Sequence, residues 1–252
     1  IEVRLNNFSP DYEKLEKFLI ETGFVKKEKE NQIIIKLETE DKMWNGFDRI
    51  TRKGIKKAEK SGLEIKEINN DEELKRFYRL YLKNMRDFGT PQHSYTFFFS
   101  LMSKDIFKGL NCYKDKKLVA SLIVLYSKDY VYAAYAASDR EYLIYQPNDL
   151  LYWEMIKWSI KNWKKYFDLG QCDAQAPEHS HASGIYRFKS KWGGDLYEKF
   201  YFTYNIHNKD KINKSSPLKP SKNKNKLINI WRKLPTTLIK VIGPKIASQL
   251  AL

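Results

Sequence analysis

The chain has 252 residues and a formal net charge of +15 at pH 7, and 42% of its residues are hydrophobic, with 17 Tyr, 14 Phe and 6 Trp among them. That apolar and aromatic content excludes a disordered chain, no apolar run approaches the ~20 residues that span a bilayer, and two cysteines, Cys112 and Cys172, make neither a disulfide framework nor a CxxC pair. With no signal peptide visible, a cytoplasmic protein is expected, either free or peripheral at the inner face of the membrane. The charge points to phosphates, anionic lipid headgroups or acidic polymers as partners, or to lysines scattered over a solvated surface.

The chain opens IEVRL without a Met, as though entered partway through a sheet, and an upstream portion is expected. Ile1 to Leu5 reads as a strand, Tyr12, Leu15, Phe18 and Leu19 as the apolar face of a helix, and Ile33 to Leu37 as a second strand. A long helical pattern runs from Asp41, strongly basic in its second half, with Gly62 as its stop. LEIKEI, Leu63 to Ile68, is a strand. The helix after it takes Asn70 or Asp71 as N-cap and Gly89 as terminator. A second helix is expected over Tyr95 to Phe107. LNCYKD, KLVASLIVLYS and YVYAAYAAS are then three β-rich runs split by Lys/Asp turns, hence an antiparallel meander. After the loop DREYLIYQP an amphipathic helix capped by Asn148 leads into the strand YFDLG. A strand, a long helix and another strand imply a right-handed crossover, with YFDLG parallel to YVYAAYAAS. The loop QCDAQAPEHSHASG, the motif SGIYRFKSKWGG and the strand YEKFYFTYN complete the ordered part.

This order, β, α, α, β, β, β, α, β, β, is that of an α+β acetyltransferase-like (GNAT) fold: a mixed, mostly antiparallel sheet with flanking helices, splayed at one strand pair to admit an acyl donor. The expected organisation is the C-terminal part of a first such domain over 1–40, a connecting basic helix over 41–62 and one complete domain over 63–206. A basic flexible linker follows over 207–226 and an amphipathic helical tail over 227–252. In the tail Trp231, Leu234, Leu238, Val241, Ile242, Ile246 and Leu250 are apolar, cations intervene, and Pro235 and Pro244 are expected to break it into short helices. Docking of this tail on the protein's own body is favoured over a membrane-surface role.

Arg52, Ile55, Ala58 and Gly62 in the pattern R-x-x-I-x-x-A-x-x-x-G, then NMRDFGTP (84–91), PNDLLYW (147–153), FDLG (167–170) and S-G-x-Y-x-F-K-x-x-W-G from Ser183 stand in one order along the chain. Together they resemble the FemAB family, in particular its exosortase-associated branch found beside polysaccharide export systems. The resemblance implies a pair of acetyltransferase-like domains and transfer of an acyl or aminoacyl group to an amine of a cell-wall or cell-surface polysaccharide precursor. It implies no permanently bound cofactor, with aminoacyl-tRNA or acyl-CoA as donor and a nucleotide- or lipid-linked precursor as acceptor.

Acyl transfer from an ester or thioester passes through a tetrahedral intermediate bearing an oxyanion, and a fixed cation aimed at that oxygen lowers the barrier. The resemblance places the family's lysine at Lys189, which the alternation of its neighbours puts on a strand, with Tyr186, Phe188 and Trp192 as a packed wall. Asp168, at a strand end, is a candidate proton acceptor or a buried partner for a cation. Arg52 and Lys56 are candidate contacts to acceptor phosphates. Tyr145 and Asn148, at the start of the crossover helix, are candidates to cap a ligand.

Two departures matter. The Gly-rich Q/R-x-x-G-x-G/A turn of acetyl-CoA binders is replaced by DREYLIYQPND, which offers few N–H donors to a pyrophosphate, and the branch's FGRS is here LGQC followed by a His-bearing loop. Cys172, Asp173, Glu178, His179 and His181 match no usual zinc spacing, and a Cys172–His179 nucleophile lacks an orienting third group, so neither a metal nor a thiol site is expected. The competing reading is a non-catalytic basic module that binds RNA, tRNA included, or an anionic membrane surface.

Overall fold

The computed structural model describes residues 1–204 and 224–249; most of the expected linker 207–226 and Leu250 lie outside the described residues. Strand β1 (Glu2–Asn6) and helix α1 (Tyr12–Glu21) lead into β2 (Val25–Lys36), which begins well before the expected Ile33. In place of one long helix from Asp41 stand two, α2 (Glu40–Gly46) and α3 (Arg49–Glu59), because Phe47, 3% exposed, is drawn into the core at the break. Helix α3 buries Thr51, Ile55 and Ala58, and Gly62 turns the chain out of it at φ 63°, a region that favours glycine. After β3 (Leu63–Glu67), α4 (Asp71–Phe88) is capped as its sequence indicates: the Asn70 side chain accepts from Glu73 N at 3.0 Å, and Gly89 closes the helix at φ 75°. Helix α5 (Tyr95–Met102) stops short of the expected Phe107, which instead opens β4 (Phe107–Lys114).

The meander continues through β5 (Lys117–Tyr126) and β6 (Tyr130–Ser138). Lys114 pairs with Lys117 across Asp115 and Lys116, both at positive φ, so the first hairpin is a two-residue turn whose twist matches its strands. Arg140–Tyr145 forms a 3-10 turn, and α6 (Pro147–Lys161) starts on Pro147 without a side-chain cap, so Asn148 lies inside the first turn. Strand β7 (Tyr166–Cys172) comes next.

The segment carrying Lys189 is a helix, α7 (His181–Ser190), and not the expected strand. Ser180 takes extended backbone geometry and its hydroxyl accepts from Ser183 N at 3.1 Å, so Ser183 and Gly184 form the first turn of this helix. Strand β8 (Asp195–Thr203) follows, then α8 (Lys224–Lys233) and α9 (Thr236–Gln249). Pro244 sits within α9 without breaking it. The residue before a proline is pushed away from helical geometry chiefly through its Cβ, and here that residue is Gly243.

The chain forms two compact units. The first is built from Ile1–Lys36, Gly46–Asp48 and the chain from Asp168 onward through β8, with strands in the order β1-β8-β2-β7. Strand β8 runs antiparallel to both β1 and β2, with Glu2 opposite Thr203 and Ile34 opposite Asp195. Ile33, Ile34 and Ile35 are all buried, and since successive side chains point to opposite faces, both faces of β2 are covered here. Gly194 makes room for this pairing, since a Cβ there would stand 2.7 Å from the Ile34 carbonyl oxygen.

The second unit takes Leu37–Asn45, Arg49–Phe167 and the C-terminal helices, with strands in the order β6-β5-β4-β3, each antiparallel to the next. Its core joins Leu74, Phe77 and Tyr81 of α4 to Phe98 of α5 and Ile123 of β5, with Tyr135 edge-on to Phe98 at 4.9 Å.

The tail packs against α4, in line with the favoured reading. Gln92 Nε2 donates to the Ile239 carbonyl at 2.7 Å, Arg232 Nε to the Asp87 carbonyl at 3.0 Å, and Gly243 lies directly on the Gln92 side chain. The inward face of α9 differs from the expected stripe. Ile239, Gly243 and Ala247 are buried at four-residue spacing, whereas Leu238 and Val241 point outward, 45% and 62% exposed. Close approach to the Gln92 loop selects the face with the smallest residues.

Candidate functional site

In the first unit, the last residues of β7 and the last turn of α7 bring Asp168, Cys172 and Lys189 together. Lys189 Nζ donates to the Gln171 carbonyl at 2.7 Å. The Lys189 side chain is half-buried. Burial pushes its pKa down to about 8, against the opposing influence of Cys172 and Asp168. Asp168 is buried on β7, and its Oδ1 accepts from Gly170 N at 2.7 Å across a turn that holds Gly170 at φ 80°. Burial raises the Cys172 thiol, which leaves it protonated and a poor nucleophile, although the Lys189 ammonium draws it the other way.

The aromatic wall is arranged differently from the expectation. Trp192, 1% exposed, stands edge-on to Phe47 at 5.3 Å and to Phe188 at 6.3 Å. Lys191, not Lys189, lies over these rings, 4.8 Å from the Phe188 centroid and 5.8 Å from that of Trp192. Tyr186, half-buried, is one turn before Lys189 on α7. Trp192 therefore anchors the end of α7, and the helix carries the ammonium to the end of β7.

The other sequence-derived candidates lie in the second unit. Arg52 Nη1 donates to the Asn45 carbonyl at 3.3 Å, and Lys56 Nζ stands 5.8 Å from the Trp44 ring, which packs on Trp153. Ile55 and Ala58 are the core residues of that motif. Gly54 is a contact the motif did not flag: α3 crosses α6 so closely that a Cβ on Gly54 would stand 2.0 Å from Asp149 Oδ2. Asn148 Oδ1 accepts from Ser138 Oγ at 2.7 Å, and the Tyr145 ring has Lys114 Nζ at 5.8 Å.

Sequence reasoning missed Asn84. Its amide makes both bonds of a strand partner, Nδ2 to Ser138 O at 3.0 Å and Oδ1 from Ser138 N at 2.9 Å, so that α4 fixes the end of β6. Its one signal was an asparagine on the buried face of an amphipathic helix. Beside this clamp is a polar cavity of about 140 Å³ lined by Lys83, Asp87, Asp139 and Arg140 among others. Its volume suits a small polar group and is far below the several hundred Å³ of sites that enclose a nucleotide-sized ligand.

The β6–α6 connection was expected to offer few N–H donors to a pyrophosphate, and its hydrogen bonds agree. Glu141 N bonds Asp139 Oδ1, Tyr142 N bonds Asp139 O, Gln146 N bonds Leu143 O, and Asp149 N and Leu150 N both bond Gln146 O, while Pro147 has no N–H. Among the described residues, no group of three or more His, Cys, Asp or Glu side chains is placed to hold a metal ion.

Three comparisons bear on this geometry. A family model described as an acetyltransferase (GNAT) domain matches residues 46–190. Over 81 residues the chain is 28% identical to a lipid II:glycine glycyltransferase of Staphylococcus haemolyticus, a match covering 32% of this chain and 19% of that protein. Among solved structures, FemX superposes with a TM-score of 0.66 at 16% identity, over 79% of this chain and 71% of that one. The C-terminal domain of a protein described as a lysylphosphatidylglycerol synthetase, from Agrobacterium fabrum, gives 0.55 at 11%, over 77% and 65%. The structural matches establish the mixed, mostly antiparallel sheet with flanking helices as acetyltransferase-like. With the glycyltransferase match they support the FemAB resemblance.

Proposed function

Because this chain belongs to the acetyltransferase (GNAT) domain family, we propose that it is an acyltransferase of the FemAB type, moving an aminoacyl group from tRNA to an amine of a cell-wall or cell-surface polysaccharide precursor. The observation that carries the reading is the half-buried Lys189, whose ammonium is fixed on the Gln171 carbonyl with Asp168 nearby. The acceptor nitrogen attacks the ester carbonyl carbon, and the carbonyl electrons move to oxygen. Lys189 stabilises the resulting oxyanion by charge and hydrogen bonding. Asp168 takes the proton lost by the amine and returns it to the tRNA ribose oxygen as collapse breaks that oxygen's bond to the carbonyl carbon.

Supporting the tRNA donor over acyl-CoA is the β6–α6 segment, where the N–H groups of Glu141, Tyr142, Gln146, Asp149 and Leu150 are bonded within the segment and Pro147 has none. The lipid II:glycine glycyltransferase match favours a lipid-linked acceptor, with Arg52 and Lys56 toward its phosphates and Tyr145, Asn148, Tyr186 and Trp192 shaping the rest of the substrate sites. The proposal includes the division into a partial first domain, a connecting segment and a main domain over 63–206. It also includes membership in the exosortase-associated branch and a peripheral position on the membrane that carries the acceptor.

The test is label transfer. Full-length protein is incubated with radiolabelled aminoacyl-tRNA or acyl-CoA and with lipid-linked and nucleotide-linked precursors. Label should appear on an acceptor amine from the tRNA donor, and Lys189→Met should abolish it. Transfer from acyl-CoA alone, or from neither donor, defeats the proposal.

A further inference from the structure

Helix α9 is apolar on two opposite faces. Ile239, Gly243 and Ala247 face the body of the second unit, and Leu238 and Val241 face away, with Lys245 on the same side one turn on. On α8, Ile230 is likewise half exposed, next to the exposed Lys233. Burial against the protein accounts for the first face only. The two helices are one-sided in charge: residues 224–249 contain six Lys or Arg and no Asp or Glu.

We propose that the outward face of α8 and α9 docks on an anionic lipid bilayer, with Leu238, Val241 and Ile230 entering the headgroup boundary and Lys233 and Lys245 pairing with lipid phosphates. Two features select lipid over nucleic acid or protein. An RNA needs the cations but has no use for three exposed branched aliphatics, which add to partition only where a hydrocarbon phase receives them. A protein partner would need carboxylates to match two helices whose own residues carry cations and no acids, and a second copy of this chain presents the same positive sign there. The inner helix face is already held by Gln92 and α4, so the outer face is presented on a fixed support and its ordering entropy is spent in folding.

This inference gives a site to the peripheral position proposed above, and its test reads binding without turnover, so the two can fail separately. Vesicles of phosphatidylcholine alone, and with a quarter phosphatidylglycerol, are sedimented with the full-length protein. Binding is expected only to the anionic vesicles. Leu238→Ser with Val241→Ser, both at exposed positions that leave the fold intact, should weaken it about tenfold or more. Lys233→Gln with Lys245→Gln should weaken it about thirtyfold, from roughly 1 kcal/mol per cation near an anionic surface. A solvatochromic dye on Val241→Cys should shift to the blue with anionic vesicles. The inference is overturned by absence of vesicle binding, by binding that is unaffected by the aliphatic substitutions, by RNA competing it away with no dye shift, or by a dimer that the aliphatic substitutions dissolve.

Discussion

Lys189 is charged in the proposed mechanism, and its environment sets the pH at which that charge disappears. With a pKa lowered to about 8 by burial, the ammonium is about nine-tenths populated at pH 7 and about one-tenth at pH 9. Transfer that depends on the cation should therefore lose about tenfold over those two units. Acceptor amines deprotonate over the same range, so the measurement is a ratio of kcat/KM for the wild type to that for Lys189→Arg, whose guanidinium stays charged throughout. The ratio should be flat below about pH 7 and fall with a midpoint near 8. Lys189→Met, which removes the charge and keeps an unbranched chain, should lower kcat by about 10² to 10³ at pH 7. Heteronuclear NMR of the lysine Nζ supplies the midpoint independently. A ratio that rises through pH 8 would show a neutral amine acting as base and refute the oxyanion role, as would an active Lys189→Met protein.

Three substitutions and a titration probe the frame around the sites. Gly54→Ala drives a Cβ into Asp149, and overpacking should outweigh the gain in helix propensity, for a net loss of about 1–2 kcal/mol in urea unfolding; unchanged stability would mean the α3–α6 crossing is looser than described. Asn84→Ala strands both backbone groups of Ser138 and should cost about 2 kcal/mol, with faster amide exchange at the end of β6. Gly243→Ala pushes on Gln92, so limited proteolysis should cut within α8 and α9 sooner than in the wild type. His93 is half-buried against Phe97 and Tyr135, and burial lowers its pKa. The unfolded chain then takes up the proton first as pH falls, so the stability of the neutral ring is present above the ordinary histidine range near 6.5 and lost below it. His93→Phe should flatten the slope of Tm between pH 7 and 5.5.

Where an element is specified by its own residues, it could be read in advance. Asn70 and Gly89 bracket α4, and the Lys/Asp turns separate the strands of the meander, because caps and hairpin turns act over four residues or fewer. Helix α7 was misread because S-G-I-Y-R-F-K-S fits a strand alternation as well as a helical stripe; the deciding signal was Ser180, three residues before the N–H it caps. The lowered pKa of Lys189 was beyond local reading, since it arises from burial where α7 meets β7, against the opposing pull of Asp168 and Cys172, and the inward face of α9 was set by Gln92, some 150 residues earlier. Motif positions divided in the same way: Ile55 and Ala58 proved to be packing residues, and the less conspicuous Gly54 marks the tightest approach.

Strand β8 stands between β1 and β2 with close to two hundred residues of chain separating it from β1. Until Thr203 has left the ribosome, the first two strands have no central partner and their unpaired edges stay open to other chains. At 5–20 residues per second this wait lasts roughly 10–40 s, long enough for a chaperone to engage the nascent N-terminal segment.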